Sequence, residues 1–295
     1  MALRWCGIVN TRTLAEILIF ESWFLMTLTD DFQRDVSLKL NRYFERKILA
    51  LHRDDPQSYF SIKTEYERQL SVIQETREDH KLNLNAIDFD RNWLSCLSEP
   101  ITEYNLADLT YRTEDNDTSI YSPRIDIAIT PTVLKNRSSI ISLGVYRLAD
   151  DVRLFSIIHR LDFIRELENT LREISNLNLG ENNLEPPETV EYINMRPMHL
   201  FGIEIENQKD PKHLMGDFLN AISLSKIPII IFPEDKFMGC MKMLLFSTTI
   251  KNLKEVPIYD ILNKAIILTI DQFRTAINRL LIAEGLETIQ VTNCR

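Results

Sequence analysis

The sequence predicts an α/β fold in which a mixed central sheet is flanked by helices and preceded by a helical N-terminal region. Three observations carry this. Strand-like and helix-like patterns alternate through the second half, as a sheet covered by helices requires. One run, Ile227 to Phe232, is apolar at successive positions, which suits a strand buried on both faces. Only seven glycines occur in 295 residues, too few for a turn-rich barrel or a glycine-loop nucleotide site. No stretch fits a Walker A loop or a dinucleotide fingerprint.

In chain order, Val36, Leu40, Tyr43, Phe44, Ile48 and Leu51 recur at three- and four-residue spacing and predict a helix over Asp31 to Leu51, with Thr29 or Asp30 as its cap. Asp54, Asp55 and Pro56 break that pattern, and a second helix is expected from Ser61 to Glu78. Asn83 to Asp117 is irregular and acidic, a connection with room for one short helix. Alternation at Ile125, Ile127 and Ile129 predicts a strand over Ile120 to Thr130, closed by Pro131, and Ser139 to Tyr146 reads as another. Asp150 to Leu177 carries the longest apolar stripe and predicts one helix. After a loop from Asn178 to Glu191 the expected order is strand (Leu200 to Glu206), helix (Lys212 to Ser225), strand (Ile227 to Phe232), a helical region, strand (Ala265 to Ile270) and a helix capped by Asp271 and ending at Glu284.

This divides the chain into residues 1–25, an N-terminal extension if Met26 is the natural start, a helical region over 26–115, and an α/β domain over 116–295. Glu16 and Glu21 interrupt the N-terminal apolar stretch well short of a membrane span, and no small-residue cleavage site follows. Cys6, Cys96, Cys240 and Cys294 form no paired motif, which argues against zinc and for a reducing, cytoplasmic location. The net charge of -9 weighs against a nucleic-acid partner without excluding one, since acidic metal ligands contribute to it.

The chemistry-bearing pattern lies on two strands. Gly202, Glu204 and Glu206 share one face of theirs, with the two carboxylates about 7 Å apart at the backbone. Burying such a pair is unfavourable unless a cation neutralises it. Asp126 stands between isoleucines on the other strand. If the strands are neighbours, Asp126, Glu204 and Glu206 converge on a position suited to Mg²⁺ or Mn²⁺.

Ser122-Pro123-Arg124-Ile125-Asp126 followed by Gly202-Ile203-Glu204-Ile205-Glu206-Asn207 resembles the signature of the PD-(D/E)xK, restriction-endonuclease-like nucleases. The helix that follows, with His213, Gly216, Asp217 and Asn220, and then the Ile227 to Phe232 strand, comes in the order that fold implies. The resemblance implies a restriction-endonuclease-like domain and a metal-dependent endonuclease that hydrolyses DNA phosphodiesters, acting as a homodimer on double-stranded DNA. It assigns Asp126 and Glu204 as metal ligands and puts Glu206 where the family usually has Lys, as a third ligand or water-orienting base. Lys209, Lys212 and Lys226 are the candidates to stand in for that Lys. Two features depart from the pattern: Pro123 lies three residues before Asp126, and a whole helix separates Asp126 from Glu204. Two other readings remain open. The acids could lie on a solvated edge strand, with Asp126 paired to Arg124 or Arg196, or the fold could be kept without catalysis as a DNA- or protein-binding module.

Overall fold

The computed structural model describes residues 11–76, 93–97, 125–134, 146–147, 152–179, 199–207, 211–255 and 261–291, with side chains described over most of these. Seven helices and six strands lie within them: α1 (Thr11–Asp54), α2 (Pro56–Thr76), β1 (Leu94–Leu97), β2 (Ile127–Leu134), β3 (Tyr146–Arg147), α3 (Val152–His159), α4 (Asp162–Leu179), β4 (His199–Ile205), α5 (Pro211–Leu224), β5 (Ser225–Phe232), α6 (Glu234–Lys254), β6 (Ile266–Thr269) and α7 (Ile270–Ala283). The sheet runs in the order β1-β2-β4-β5-β6, with β3 paired to β2. It is mixed: β2 is antiparallel to β1 and β4, whereas β4, β5 and β6 are parallel.

The alternation of side chains along each strand sorts the core into two layers. Ile127, Ile129, Ile203, Ile205, Ile227, Ile229, Ile231, Ile266 and Leu268 face one side, where Phe32, Val36, Leu40, Phe44 and Ile48 of α1, Ile62 of α2, Ile158 of α3, Leu167 of α4 and Phe273 of α7 cover them. Ala128, Ile230, Phe232 and Ile267 face the other side, under Leu214, Phe218 and Ala221 of α5 and Cys240 and Leu244 of α6. The result is a sheet between two helical layers, and β5 is buried on both faces as its apolar run predicts. Cys240 is free and buried.

Several expected boundaries move, each for a local reason. α1 continues upstream through Thr29, Asp30 and Met26 to Thr11, so no cap interrupts it. The break at Asp54, Asp55 and Pro56 is one residue wide. Asp55 accepts from the Ser58 N–H at 3.1 Å, and Pro56, which lacks an N–H that the first turn could use, starts α2. The expected Asp150 to Leu177 helix is two helices. Bonds from Arg160 N–H to Ile157 O and from Leu161 N–H to Ile158 O tighten the chain at the junction, while buried Leu161 keeps the apolar stripe continuous.

A four-residue strand, β1, lies within the connection expected to be irregular, the rest of which falls outside the described residues, and β2 runs through Pro131 to Leu134 instead of closing at it. The pairs described between β2 and β4 end at Ile129, and a proline is tolerated where the ladder does not need its N–H. The cap of α7 is Thr269, in a capping box with Gln272, rather than Asp271. The expected boundary near residue 115, and all of the Ser139 to Tyr146 strand except Tyr146, fall outside the described residues. No helix among the described residues is long and apolar enough to cross a membrane.

Candidate functional site

The site is built at the carboxyl end of β4, where β2 begins. Antiparallel pairing sets Ile127 opposite Ile203 and Ala128 opposite Gly202, and continuing that register by one step brings Asp126 beside Glu204. Asp126 occupies a bend just before β2 rather than the middle of a strand. Its carboxylate takes over from the ladder: Oδ2 accepts the Ile205 N–H at 2.8 Å, and the Asp126 N–H makes a long contact of 3.4 Å to Glu204 Oε2. These two acids, 78 residues apart in the chain, are therefore side by side.

Glu204 is 6% exposed and Glu206 4%, so neither lies on a solvated face. Glu204 shares the sheet face of Ala128, Gly202 and Ile230, under α5. Its Oε1 is buried without a hydrogen-bond partner. Glu206 continues the strand direction, its N–H bonded to Ile231 O at 2.9 Å. Two residues before Glu204, Gly202 has no room for a side chain, because a Cβ there would collide with Ser225 Oγ and come within 3.0 Å of Ser225 Cβ.

Two further side chains meet the acids. Asp217 on α5 hydrogen-bonds Glu206, and its charge reaches both Asp126 and Glu204. Gln33 on α1, half-buried beside Phe32, hydrogen-bonds the Asp126 carboxylate. Neither was singled out for chemistry by the sequence. Asp217 carried one signal: it lies three residues after Leu214 and four before Ala221, both buried, so helical spacing turns it toward the sheet. Gln33 carried only its place next to the buried stripe of α1.

The electrostatics follow from burial. Loss of solvent pushes the Asp126 carboxyl up to about 6, with Asp217 adding to the rise and the Ile205 and Gln33 hydrogen bonds opposing it. Glu204 is held well above the usual carboxylate range, first by burial and then by the neighbouring charges of Asp126, Asp217 and Glu206. Asp217 is raised to about 8 by burial and by its bond to Glu206, and His213, one helical turn earlier, pulls it back. Every charge acting on Glu204 is thus another acid.

Among the described residues, no three His, Cys, Asp or Glu side chains form a group ready to enclose a metal ion. The acids are instead arranged as two touching pairs, Asp126 with Glu204 and Glu206 with Asp217. Mg²⁺ commonly takes only one or two carboxylates from a protein and fills its other positions with water and phosphate oxygens, so a pair is a sufficient donor set. The unpartnered Glu204 oxygen is the donor this structure leaves available.

Of the lysines expected to stand in for the family's Lys, Lys226 is at the wrong end of β5. Glu204 pairs with Ile230, and four residues of strand separate the two by about 13 Å. The side chains of Lys209 and Lys212, like Arg124 and Arg196, lie outside the described residues. His159 and His199 are occupied elsewhere, by Glu168 at 2.6 Å and by Thr130 at 2.7 Å. Comparison of the chain with protein-family models, with curated proteins and with solved structures finds no match.

Proposed function

We propose that this protein is a metal-dependent endonuclease of the restriction-endonuclease-like kind, hydrolysing DNA phosphodiesters at the Asp126–Glu204 pair. One observation carries the reading. A carboxylate buried to 6% exposure, with one oxygen unpartnered and only acids acting on it, is unfavourable by itself and becomes favourable when a cation completes it. The resemblance of the two motifs to the PD-(D/E)xK nucleases supplies the substrate class, double-stranded DNA, and a homodimer would present two such sites to the two strands.

Asp126 and Glu204 would hold Mg²⁺ or Mn²⁺. When bound, such an ion lowers the pKa of an attacking water and offsets the charge that develops on phosphorus. Asp126 is fixed for this by the Ile205 N–H and Gln33, so its carboxylate is oriented before any ligand arrives. Glu206, at the usual Lys position, would serve as a third ligand or accept a proton from the water.

The test is plasmid cleavage with Mg²⁺ and with Mn²⁺, comparing the protein with Asp126→Ala and Glu204→Ala. Cleavage that both variants abolish is the expected result, and DNA left equally intact by all three proteins over a range of metals and salts would overturn it. The acid at the Lys position favours a second reading, a nuclease-fold protein that binds DNA or protein without cutting. A DNA gel shift that persists in EDTA, with no cleavage, would select it.

A further inference from the structure

We propose that the outer face of α6 is a self-association surface, on which a second copy of this chain lays its own α6 antiparallel. None of the residues involved belongs to the acid cluster, so the inference does not rest on the metal-binding reading.

α6 carries apolar residues around its whole circumference, whereas a helix that covers a sheet from one side needs a single apolar stripe. Its inner stripe, Cys240, Met243, Leu244 and Ser247, is buried. On the opposite side Met238, Lys242, Leu245, Thr249 and Leu253 recur at three- and four-residue spacing, with Phe246 beside Leu245. Met238, Leu245, Phe246 and Leu253 are between 61% and 72% exposed, and no other helix among the described residues shows four large apolar side chains so open to solvent. Apolar side chains gathered on one face in this way mark an interaction site, which singly scattered ones do not.

The way this face fits itself selects a second copy as its occupant. A net charge of -9 opposes self-association of the chain, but this face is balanced: Glu234 and Asp235 stand in the first turn of α6, Lys242 in the middle and Lys254 at the end. Antiparallel pairing brings each acidic end to the lysine end of the other copy and aligns the two helix dipoles favourably. In the register that sets Leu245 against Phe246, Met238 meets Leu253, and Lys242 meets the hydroxyl of Thr249. Apolar side chains then cover apolar ones, and the charge in the middle faces a hydrogen-bond acceptor. Sliding the copies by four residues in either direction would instead press Lys242 onto Leu245 or Leu253. A two-fold axis makes each of these contacts twice, as an isologous dimer requires.

The experiment is sedimentation velocity and light scattering of the full chain in EDTA across the micromolar range, with Leu245→Glu and Phe246→Glu beside it. A concentration-dependent dimer is expected for the wild-type chain, with Kd raised at least about tenfold in each variant. Both side chains are exposed in the single chain, so circular dichroism should be unchanged. Lys254→Glu should also weaken the dimer, and adding Asp235→Lys to the same chain should restore it, because only antiparallel copies bring those two positions together. A wild-type chain that stays monomeric would overturn the proposal and leave the face to a different partner. A dimer that Leu245→Glu and Phe246→Glu leave intact would overturn it too, since the copies would then meet elsewhere. Failure of the charge exchange to restore a dimer that these variants do disrupt would overturn the antiparallel arrangement.

Discussion

Replacing Glu204 by Gln should make the metal-free protein more stable and abolish its response to metal. Glu204 is 6% exposed, its Oε1 has no partner, and Asp126, Asp217 and Glu206 all oppose its ionisation. A buried acceptor left unsatisfied costs about 1–3 kcal/mol, and more when it carries charge. Glutamine has the same length and no charge. Its amide oxygen can keep the contact with the Asp126 N–H, and its NH₂ can donate to the Asp126 carboxylate, which wild-type Glu204 can do only when protonated. The expected gain in EDTA at pH 8 is about 1–3 kcal/mol, a rise of a few degrees in Tm for a protein of this size.

Metal reverses the order. A ligand that binds only the folded state stabilises it by about 2.7 kcal/mol at a hundredfold excess over its Kd. Urea unfolding in EDTA and in Mn²⁺ should therefore show the wild-type chain gaining about that much and Glu204→Gln gaining far less. Two results would refute the reasoning. If Glu204→Gln is the less stable protein in EDTA, the carboxylate is a structural group with a partner of its own. If both chains gain equally from Mn²⁺, the ion binds elsewhere.

Glu168 should dominate acid unfolding of the helical layer: burial raises its pKa, but the His159 hydrogen bond and the Arg172 charge outweigh this and hold it down to about 2. Its stabilisation is complete above the ordinary value of 4.5 and disappears as pH falls toward 2, a loss of about 3 kcal/mol that unfolding curves of Glu168→Gln should lack; equal slopes in both proteins would refute it. Ser175→Ala should cost about 1–3 kcal/mol and speed hydrogen exchange at Ile267, because Ser175 Oγ accepts the Ile267 N–H at 2.8 Å. Unchanged exchange at that amide would show the edge of β6 to be satisfied in another way. Gly202→Ala should lower stability by about 1–3 kcal/mol in chemical denaturation, as its Cβ collides with Ser225, and a neutral result would mean that Ser225 rotates freely aside.

What the sequence made legible were the elements with a strong period. β4, α5, β5, β6 and α7 fall within one or two residues of expectation because alternating or helical apolar spacing persists over each of them. β1 was missed because four residues, Leu-Ser-Cys-Leu, carry no period, and it is a strand only because β2 offers it a partner. The α3–α4 junction was missed for the opposite reason: Leu161 is buried, so the stripe runs across a break made by backbone hydrogen bonds. At the site, Glu204 and Glu206 were visible as acids alternating with isoleucines, and Asp126 through its isoleucine neighbours. Gln33 and Asp217 were not, since helical phase says which way a side chain points but not which strand lies beneath it.

The position of the acids follows from the change of strand direction within the sheet. β4 pairs antiparallel with β2 on one side and parallel with β5 on the other, so the start of β2 and the ends of β4 and β5 share one edge. A side chain has to complete the ladder where β2 begins, and Asp126 does so by accepting the Ile205 N–H. That bond uses Oδ2 and ties the acid to the backbone of the very strand that carries Glu204 and Glu206. The carboxyl ends of parallel strands are also where α/β sheets place ligands, because the chain leaves each strand there and opens a crevice below the next helix. In this protein the next helix is α5, and it brings Asp217 rather than a hydrophobic residue toward the end of β4. A structural role for these acids would have to explain why the fold brings Asp126, Glu204, Glu206 and Asp217 to the same end of β4 and leaves a buried oxygen of Glu204 without a partner.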